Sequence, residues 1–115
     1  MGKRVIKFGE DDIYGFVGQP GRVGCIFTNG CFDILHRGHI ELFKFCRAQR
    51  VYSPLVVGVN SDKSIRKLKG TNRPIMPEED RVSLLSAIKY IDCVVIFDTK
   101  SVLSLIEEIK PAILV

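Results

Sequence analysis

The sequence predicts an α/β protein built on a Rossmann-like, doubly wound parallel sheet of about four strands, with helices on both faces. Strand-like and helix-like segments alternate from Val23 to the end of the chain, and this alternation is typical of parallel sheets joined by right-handed crossovers. The strand-like segments are continuous apolar runs, which is the pattern of strands covered on both faces.

The individual elements follow from local signals. Apolar runs predict strands at residues 23–28, 55–59, 93–97 and 112–115. Helical spacing of apolar residues predicts helices at residues 39–50, from Pro77 to Ile91, and at residues 101–110. Proline suits the first position of a helix, and the three acidic residues after Pro77 suit the positive end of the helix dipole. Residues 60–76 are predicted to form a long polar loop.

Length and composition predict one domain. The chain has 115 residues, of which 46% are apolar and 26% are charged; this is enough for one hydrophobic core and too apolar for a disordered segment. We expect residues 1–22 to be a flexible leader and residues 23–115 to be the domain. No apolar run approaches the roughly 20 residues of a membrane span, and no signal peptide is recognisable, so we expect a cytoplasmic protein.

The positive charge is concentrated in one segment. The net charge is +4, but five of the 17 basic residues lie between Lys63 and Arg73, where there is no acidic residue. The rest of the chain has 12 basic and 13 acidic residues. A local anion site and a solvated loop both explain such a segment, and charge alone favours the loop. The segment contains no aromatic residue, so it lacks the stacking platform of a nucleic-acid site.

The two histidines of the chain lie where a parallel sheet binds its ligands. His36 and His39 follow the first predicted strand, and ligands of such sheets bind beyond the carboxyl ends of the strands. Three residues apart at a helix start, the two rings fall on one face, and Gly38 lets a ligand approach the backbone. Unpaired N–H groups of a first helical turn favour phosphate. We therefore predict a polyphosphate site rather than two surface histidines that cap a helix.

Residues 28–39, TNGCFDILHRGH, carry a specific motif. They resemble the Phe-Asp-x-x-His-x-Gly-His signature of the cytidylyltransferase-like nucleotidyltransferases. The resemblance extends over residues 24–115 and is nearest to the heptose 1-phosphate adenylyltransferase domain of the bifunctional ADP-heptose synthases. The other segments that carry it are Val59-Asn60-Ser61-Asp62, Leu68-Lys69-Gly70, Arg73-Pro74-Ile75, Arg81 and Lys110-Pro111.

The resemblance implies transfer of a nucleoside monophosphate from ATP or CTP to a sugar phosphate or polyol phosphate, with release of pyrophosphate and no covalent enzyme intermediate. The implied catalytic residues are His36, His39 and Lys69. The implied nucleotide-binding residues are Cys31, Phe32, His36, Gly38, His39 and Asp62. The implied substrate-binding residues are Asp33, Arg66, Arg73 and Arg81.

Some of these residues have a second interpretation. Arg81 could equally cap its own helix, and Asp33 and Asp62 could equally order their loops by accepting hydrogen bonds from backbone N–H groups. No cluster of metal ligands is visible in the sequence. We expect Mg²⁺ to arrive bound to the triphosphate.

The sequence departs from the family pattern at its end. Relatives continue with a fifth strand and a Ser/Thr-rich motif that holds the nucleotide phosphates, whereas this chain ends at Val115. We therefore expect a C-terminally incomplete domain in which residues 112–115 form an uncovered apolar edge, and we expect copies of the chain to associate there. No nucleic-acid or membrane partner is expected. Two alternatives stay open: a glycerol-3-phosphate cytidylyltransferase-like enzyme and a truncated, non-catalytic nucleotide-binding module.

Overall fold

In the part of the chain that the structure describes, five strands form one parallel sheet. A computed structural model describes residues 4–9, 24–49 and 53–115. Its strands are β1 (Arg4–Lys7), β2 (Ile26–Gly30), β3 (Leu55–Asn60), β4 (Cys93–Phe97) and β5 (Ile113–Leu114). They lie in the order β1-β4-β3-β2-β5, and every pairing is parallel. The predicted α/β fold with a parallel sheet is confirmed.

Among the described residues, four α-helices lie between β2 and β5. They are α1 (Arg37–Gln49), α2 (Asp62–Lys69), α3 (Glu78–Ser86) and α4 (Val102–Ile109), and a 3-10 turn at Thr99–Ser101 precedes α4. The extended backbone of Pro77 makes it the N-cap of α3 rather than its first residue. Lys110 ends α4 in the left-handed conformation. Within the described ranges, no helix is long and apolar enough to cross a membrane.

Both faces of the sheet are covered, as the continuous apolar strands predict. Successive residues of a strand point to opposite faces. One buried cluster combines Phe27, Val56 and Val95 with Leu105 and Ile109 of α4. The opposite cluster combines Ile26, Val57 and Val94 with Phe43 of α1 and Leu85 of α3. The sheet is therefore the middle layer of three, with α4 on one face and α1 and α3 on the other.

Sequence analysis missed strand β1, which lies inside the expected flexible leader. Val5 pairs with Val94 of β4, and the side chain of Ile6 is 1% exposed in the α4-side cluster. Two apolar residues between basic ones are too short a run to predict a strand, and the pairing joins positions far apart in sequence. Residues 10–22 of the expected leader lie outside the described residues, as does Val23 of the first predicted strand.

The prediction of a loop at residues 60–76 is wrong for Asp62–Lys69, which forms α2. Ser61 caps this helix, because its Oγ accepts the amide N–H of Ser64 at 3.2 Å. Gly70 ends it with a φ of 98°, a conformation that favours glycine. These cap signals are present in the sequence, but Ile65 and Leu68 are too few apolar residues to give a recognisable helical stripe.

Strand β5 lies at the edge of the sheet. It pairs only two residues with β2, Ile113 with Ile26 and Leu114 with Phe27, and it is shorter than the predicted strand. The side chains of Leu114 and Val115 are 57% and 43% exposed. Association of copies through this edge stays a prediction.

Candidate functional site

A residue with unfavourable backbone geometry shapes the loop between β2 and α1. Phe32 has a φ of 49°, in the left-handed region that is costly for a bulky residue. Its ring is buried, with its centroid 5.3 Å from that of His39 and 5.5 Å from that of Phe43. A Cβ on Gly30 would come within 3.2 Å of the same ring. The absence of a side chain at Gly30 therefore gives the Phe32 ring its space. Burial of this ring offsets the backbone strain and supports His39.

His36 and His39 lie side by side at the start of α1, with ring centroids 4.0 Å apart. Each ring accepts a backbone hydrogen bond at Nδ1: the amide of Gly38 donates to His36 at 3.0 Å, and the amide of His36 donates to His39 at 3.2 Å. A neutral imidazole that accepts at Nδ1 carries its proton on Nε2. The pair therefore presents two Nε2–H donors to a ligand.

Several backbone amides at the start of α1 are already engaged. The amides of His39 and Ile40 donate to the carbonyl of His36, at 3.0 and 3.4 Å, and those of His36 and Gly38 donate to the imidazoles. The expectation that unpaired amides bind phosphate here is wrong for these four N–H groups. The positive end of the helix dipole still favours an anion, and the two imidazole rings add side-chain donors at the same place.

Asp33 ties the loop after β2 to the segment before α3. Its carboxylate accepts hydrogen bonds from the amides of Ile75 at 2.8 Å and Met76 at 2.9 Å, and from Arg73 Nη1 at 3.3 Å. Burial raises the pKa of Asp33, but the hydrogen bonds from Met76, Ile75 and Arg73 outweigh burial and leave the pKa below its usual value. Asp33 is therefore an ionised anchor, whereas Arg73, with its side chain 44% exposed, is accessible to a ligand.

Arg81 is fully buried beneath the same loop. Its guanidinium donates to the carbonyls of Cys31 at 2.8 Å, Asn60 at 2.6 Å and Met76 at 3.0 Å, and it forms an ion pair with Asp62 at 2.7 Å. One side chain thus joins the ends of β2 and β3 to the start of α3. Because Arg81 has no exposed surface, the structure points to a positioning role and not to the predicted substrate contact.

The same contacts limit what Asp62 and Cys31 offer a nucleotide. One carboxylate oxygen of Asp62 and the carbonyl of Cys31 already accept from Arg81. Of the second interpretations that the sequence leaves open, acceptance of backbone N–H groups fits Asp33, whereas the carboxylate of Asp62 accepts from the guanidinium of Arg81 instead. Nucleotide contacts through other atoms of Cys31 and Asp62, and through the backbone of Phe32, stay predictions.

Arg66 and Lys69 lie exposed on α2, which follows β3 rather than β2. In the part of the chain that the structure describes, no hydrogen bond or ion pair joins either side chain to the histidine pair. The structure thus brings Asp33, Arg73 and Arg81 together around one loop and leaves Arg66 and Lys69 on another element. Their contacts with phosphate stay predictions.

Comparison with known proteins identifies the family. Residues 27–115 match the family described as Cytidylyltransferase-like. This chain belongs to that family. The match begins in β2 and includes the histidine pair, Asp33, Arg73 and Arg81. The resemblance predicted from the sequence motif is confirmed.

Relatives of this cytidylyltransferase-like chain include two bacterial proteins named bifunctional protein HldE. The chain is 52% identical over 90 residues to that of Campylobacter fetus, covering 78% of this chain and 19% of the relative. It is 46% identical over 105 residues to that of Campylobacter concisus, covering 91% of this chain and 22% of the relative. The chain therefore spans about a fifth of the length of these relatives.

A solved structure shares the fold. The lipopolysaccharide core biosynthesis protein from Thermoplasma volcanium aligns with a TM-score of 0.68 and 31% identity, over 77% of this chain and 70% of that chain. This likeness confirms the Rossmann-like architecture of the cytidylyltransferase-like chain.

The carboxylates near the site are poorly placed to bind a metal ion. Among residues 4–9, 24–49 and 53–115, no group of three or more His, Cys, Asp and Glu side chains is arranged to hold one. Both oxygens of Asp33 accept hydrogen bonds from amides, and Asp62 is paired with Arg81. Mg²⁺ prefers free carboxylate oxygens and retains several waters, so these residues do not fit a resident magnesium ion.

Sequence analysis missed Asn60 as a residue of the site. Its buried side chain donates to Ser64 Oγ at 3.0 Å and to Thr99 Oγ1 at 2.8 Å, and its carbonyl accepts from Arg81. Asn60 thus connects α2 and the 3-10 turn to the guanidinium beneath the loop. The available signal was a polar residue at the end of an apolar strand, which the prediction counted as the start of a loop.

Removing His36 is expected to raise the pKa of His39. Burial, and then the neighbouring charge of His36, lower the pKa of His39 from its ordinary value of 6.5. In His36→Ala the charge is gone and the ring is more open to water, so both causes weaken. NMR titration of the His39 Cε1 proton measures the change, and Lys44→Ala, at an exposed position of α1, is the control. An unchanged or lower pKa of His39 would contradict this account.

The lowered pKa also fixes the sign of the pH effect on stability. The folded state disfavours the imidazolium form of His39, whereas the unfolded chain takes up the proton near pH 6.5. Protonation of His39 therefore favours the unfolded chain, and the free energy of unfolding decreases as the pH falls below 6.5.

Proposed function

We propose that this chain transfers a nucleoside monophosphate from a nucleoside triphosphate to a sugar phosphate and releases pyrophosphate, with ATP as donor and heptose 1-phosphate as acceptor. The observation that carries the proposal is the pair of Nε2–H donors at the positive end of α1, at the carboxyl edge of the sheet. The high identity to HldE proteins supports the heptose acceptor.

The proposed reaction is a direct displacement at phosphorus. An oxygen of the acceptor phosphate forms a bond to the α-phosphorus, and the bond from that phosphorus to its bridging oxygen breaks, so pyrophosphate leaves with the bonding electrons. Such a reaction depends on positioning and on stabilisation of charge on the phosphate oxygens. His36 and His39 donate their Nε2–H groups to those oxygens, as fixed donors that need no reorganisation during the reaction.

We assign the acceptor to the part of the loop between β2 and α1 where Asp33 contacts Arg73. Arg73 is held beside Asp33 at 3.3 Å and is still half-exposed, so its guanidinium can bind a phosphate of the acceptor. Arg66 and Lys69 are exposed cations of the same basic segment and are proposed to contact the triphosphate. Because the nearby carboxylates are already engaged, the magnesium ion enters as part of the substrate, bound to the triphosphate.

Gly38→Ala is expected to weaken nucleotide binding without unfolding the chain. A Cβ at this position would lie 2.8 Å from Cε1 and 3.0 Å from Nδ1 of His36, so the imidazole must move off the turn. We expect the dissociation constant of ATP to rise roughly tenfold, which corresponds to the loss of about one charge-assisted hydrogen bond. Isothermal titration calorimetry measures it, with Ala48→Gly on the exposed part of α1 as the control. Unchanged ATP affinity would contradict the proposed position of His36.

Four substrate combinations test the function. Pyrophosphate release is measured with ATP or CTP, each with heptose 1-phosphate or glycerol 3-phosphate. The proposal predicts the highest kcat/KM for ATP with heptose 1-phosphate. Faster release from CTP with glycerol 3-phosphate would favour the cytidylyltransferase alternative, since base choice depends on a few hydrogen bonds to the ring edge. ATP binding without release in any combination would favour the non-catalytic module.

A further inference from the structure

A cavity opens between α2 and the 3-10 turn, and neither histidine lines it. Its volume is about 250 Å³. Three lysines line it: Lys63 and Lys67, which are one helical turn apart on α2, and Lys100, which faces them from the 3-10 turn. The proposed nucleotidyl transfer uses Arg66, Lys69 and Arg73 of the basic segment and leaves these three lysines unexplained.

The charge balance of this cavity favours an anion. Asp98 is the one carboxylate that lines it, and this carboxylate accepts a hydrogen bond from Ser61. Three cations against one anion leave an excess of two positive charges around a concave surface. A concave site lined by one sign of charge concentrates ligands of the opposite sign. The excess matches the charge of a phosphate monoester.

The uncharged part of the lining suits a polyol. Ser64 and Thr99 contribute hydroxyl groups that are fixed by hydrogen bonds to each other and to Asn60, so the floor is ordered before a ligand binds. A preordered site loses less entropy on binding. The carboxylate of Asp98 can accept hydrogen bonds from hydroxyl groups, and Leu68, which is 56% exposed, gives an apolar wall for a carbon chain.

We propose that this cavity binds a phosphorylated sugar or polyol, with the phosphate between the three lysines and the hydroxyl groups on Asp98 and Thr99. The α2 residues of the lining follow β3 and residues 98–100 follow β4, so the cavity lies beyond the carboxyl ends of these two strands, whereas the histidine pair follows β2. The lining contains none of the residues that the proposed nucleotidyl transfer uses, so the cavity is a site separate from the histidine pair. The inference does not depend on the proposed function.

Ligand titration followed by NMR tests this site. The ¹⁵N-labelled chain is titrated with glycerol 3-phosphate, ribose 5-phosphate and glucose 6-phosphate, and separately with inorganic phosphate and with glucose. We expect at least one sugar or polyol phosphate to give saturable shifts at the amides of residues 63–68 and 98–100, with an affinity at least tenfold above that of inorganic phosphate or glucose.

Two triple variants separate the cavity from general surface charge. Lys63→Gln, Lys67→Gln and Lys100→Gln together are expected to weaken binding at least tenfold. The matched control replaces the exposed Lys44, Lys89 and Lys110 with glutamine and should keep the affinity. The double variant His36→Ala, His39→Ala should also keep it, which distinguishes this site from the nucleotide site.

Three results would overturn the proposal. The first is the absence of saturable shifts at the cavity with every sugar phosphate. The second is inorganic phosphate binding as tightly as the best sugar phosphate, which would mean that the lysines hold a free anion only. The third is an equal loss of affinity in the two triple variants, which would mean that net charge and not the cavity attracts the ligand.

Discussion

Replacing His36 or His39 with alanine is expected to lower kcat/KM for pyrophosphate release at least a hundredfold while the chain stays folded. Each substitution removes one Nε2–H donor from the phosphate oxygens, and the loss of one fixed donor of this kind costs about two to three orders of magnitude in rate. The side chain of His36 is exposed and that of His39 is half-buried, so neither change leaves a large cavity in the core. Steady-state pyrophosphate release gives kcat and KM, and circular dichroism reports the fold.

Glutamine variants are the matched controls for the histidine substitutions. The side-chain amide of glutamine places an N–H group near the position of Nε2, so His36→Gln and His39→Gln should retain more activity than the alanine variants. Rates within threefold of the unmodified chain in both alanine variants would remove the histidines from the proposed reaction. A rate loss that is accompanied by unfolding would be assigned to structure and not to catalysis.

Arg81→Met is expected to destabilise the fold by about 3–5 kcal/mol, since it removes the buried partner of an ion pair with the 24% exposed Asp62 and leaves three carbonyls without their donor. The substitution leaves Asp62 without its cation and the carbonyls of Cys31, Asn60 and Met76 without a donor. Total stabilities of small domains are about 5–15 kcal/mol, so the loss is a large part of the total. Urea denaturation gives the free energy of unfolding.

Two further variants separate the geometry of Arg81 from its charge. Arg66→Met removes an exposed cation from α2 and should change the free energy of unfolding by less than about 0.5 kcal/mol. Arg81→Lys keeps the charge but cannot reach three carbonyls and Asp62 at once, so we expect an intermediate loss. If Arg81→Met were as stable as Arg66→Met, the guanidinium would not hold the ends of β2 and β3 together.

The central part of the fold could be predicted because its signals are local. Cys93 to Phe97 is a strand in both prediction and structure, since a continuous apolar run between polar residues leaves little choice. Strand β1 could not be predicted, because Val5 and Ile6 form a strand only by pairing with β4, about ninety residues later in the chain. Helix α2 was missed because its stability depends on caps at Ser61 and Gly70 rather than on an apolar stripe.

The site could be predicted only as far as its motif. The spacing of His36, Gly38 and His39 predicts two rings on one helix face, and the structure places the two imidazole rings together. The spacing in the sequence does not reveal that the backbone amides of Gly38 and His36 donate hydrogen bonds to the imidazoles. The burial of Arg81 could not be predicted from the sequence either, because a basic residue that follows three acidic residues is typical of a solvent-exposed helix start. Its four partners come from the loop after β2, from β3, from α2 and from the segment before α3.

The structure of the chain with a non-hydrolysable ATP analogue, α,β-methylene ATP, and Mg²⁺ tests the central claim most directly. The claim is that two imidazole Nε2–H groups at the start of α1 bind the triphosphate. The account predicts Nε2 of both His36 and His39 within about 2.7–3.1 Å of phosphate oxygens, with Nδ1 of each ring still accepting its backbone N–H. A triphosphate bound elsewhere on the chain, or rings that turn their Nε2 atoms away from it, would contradict the account.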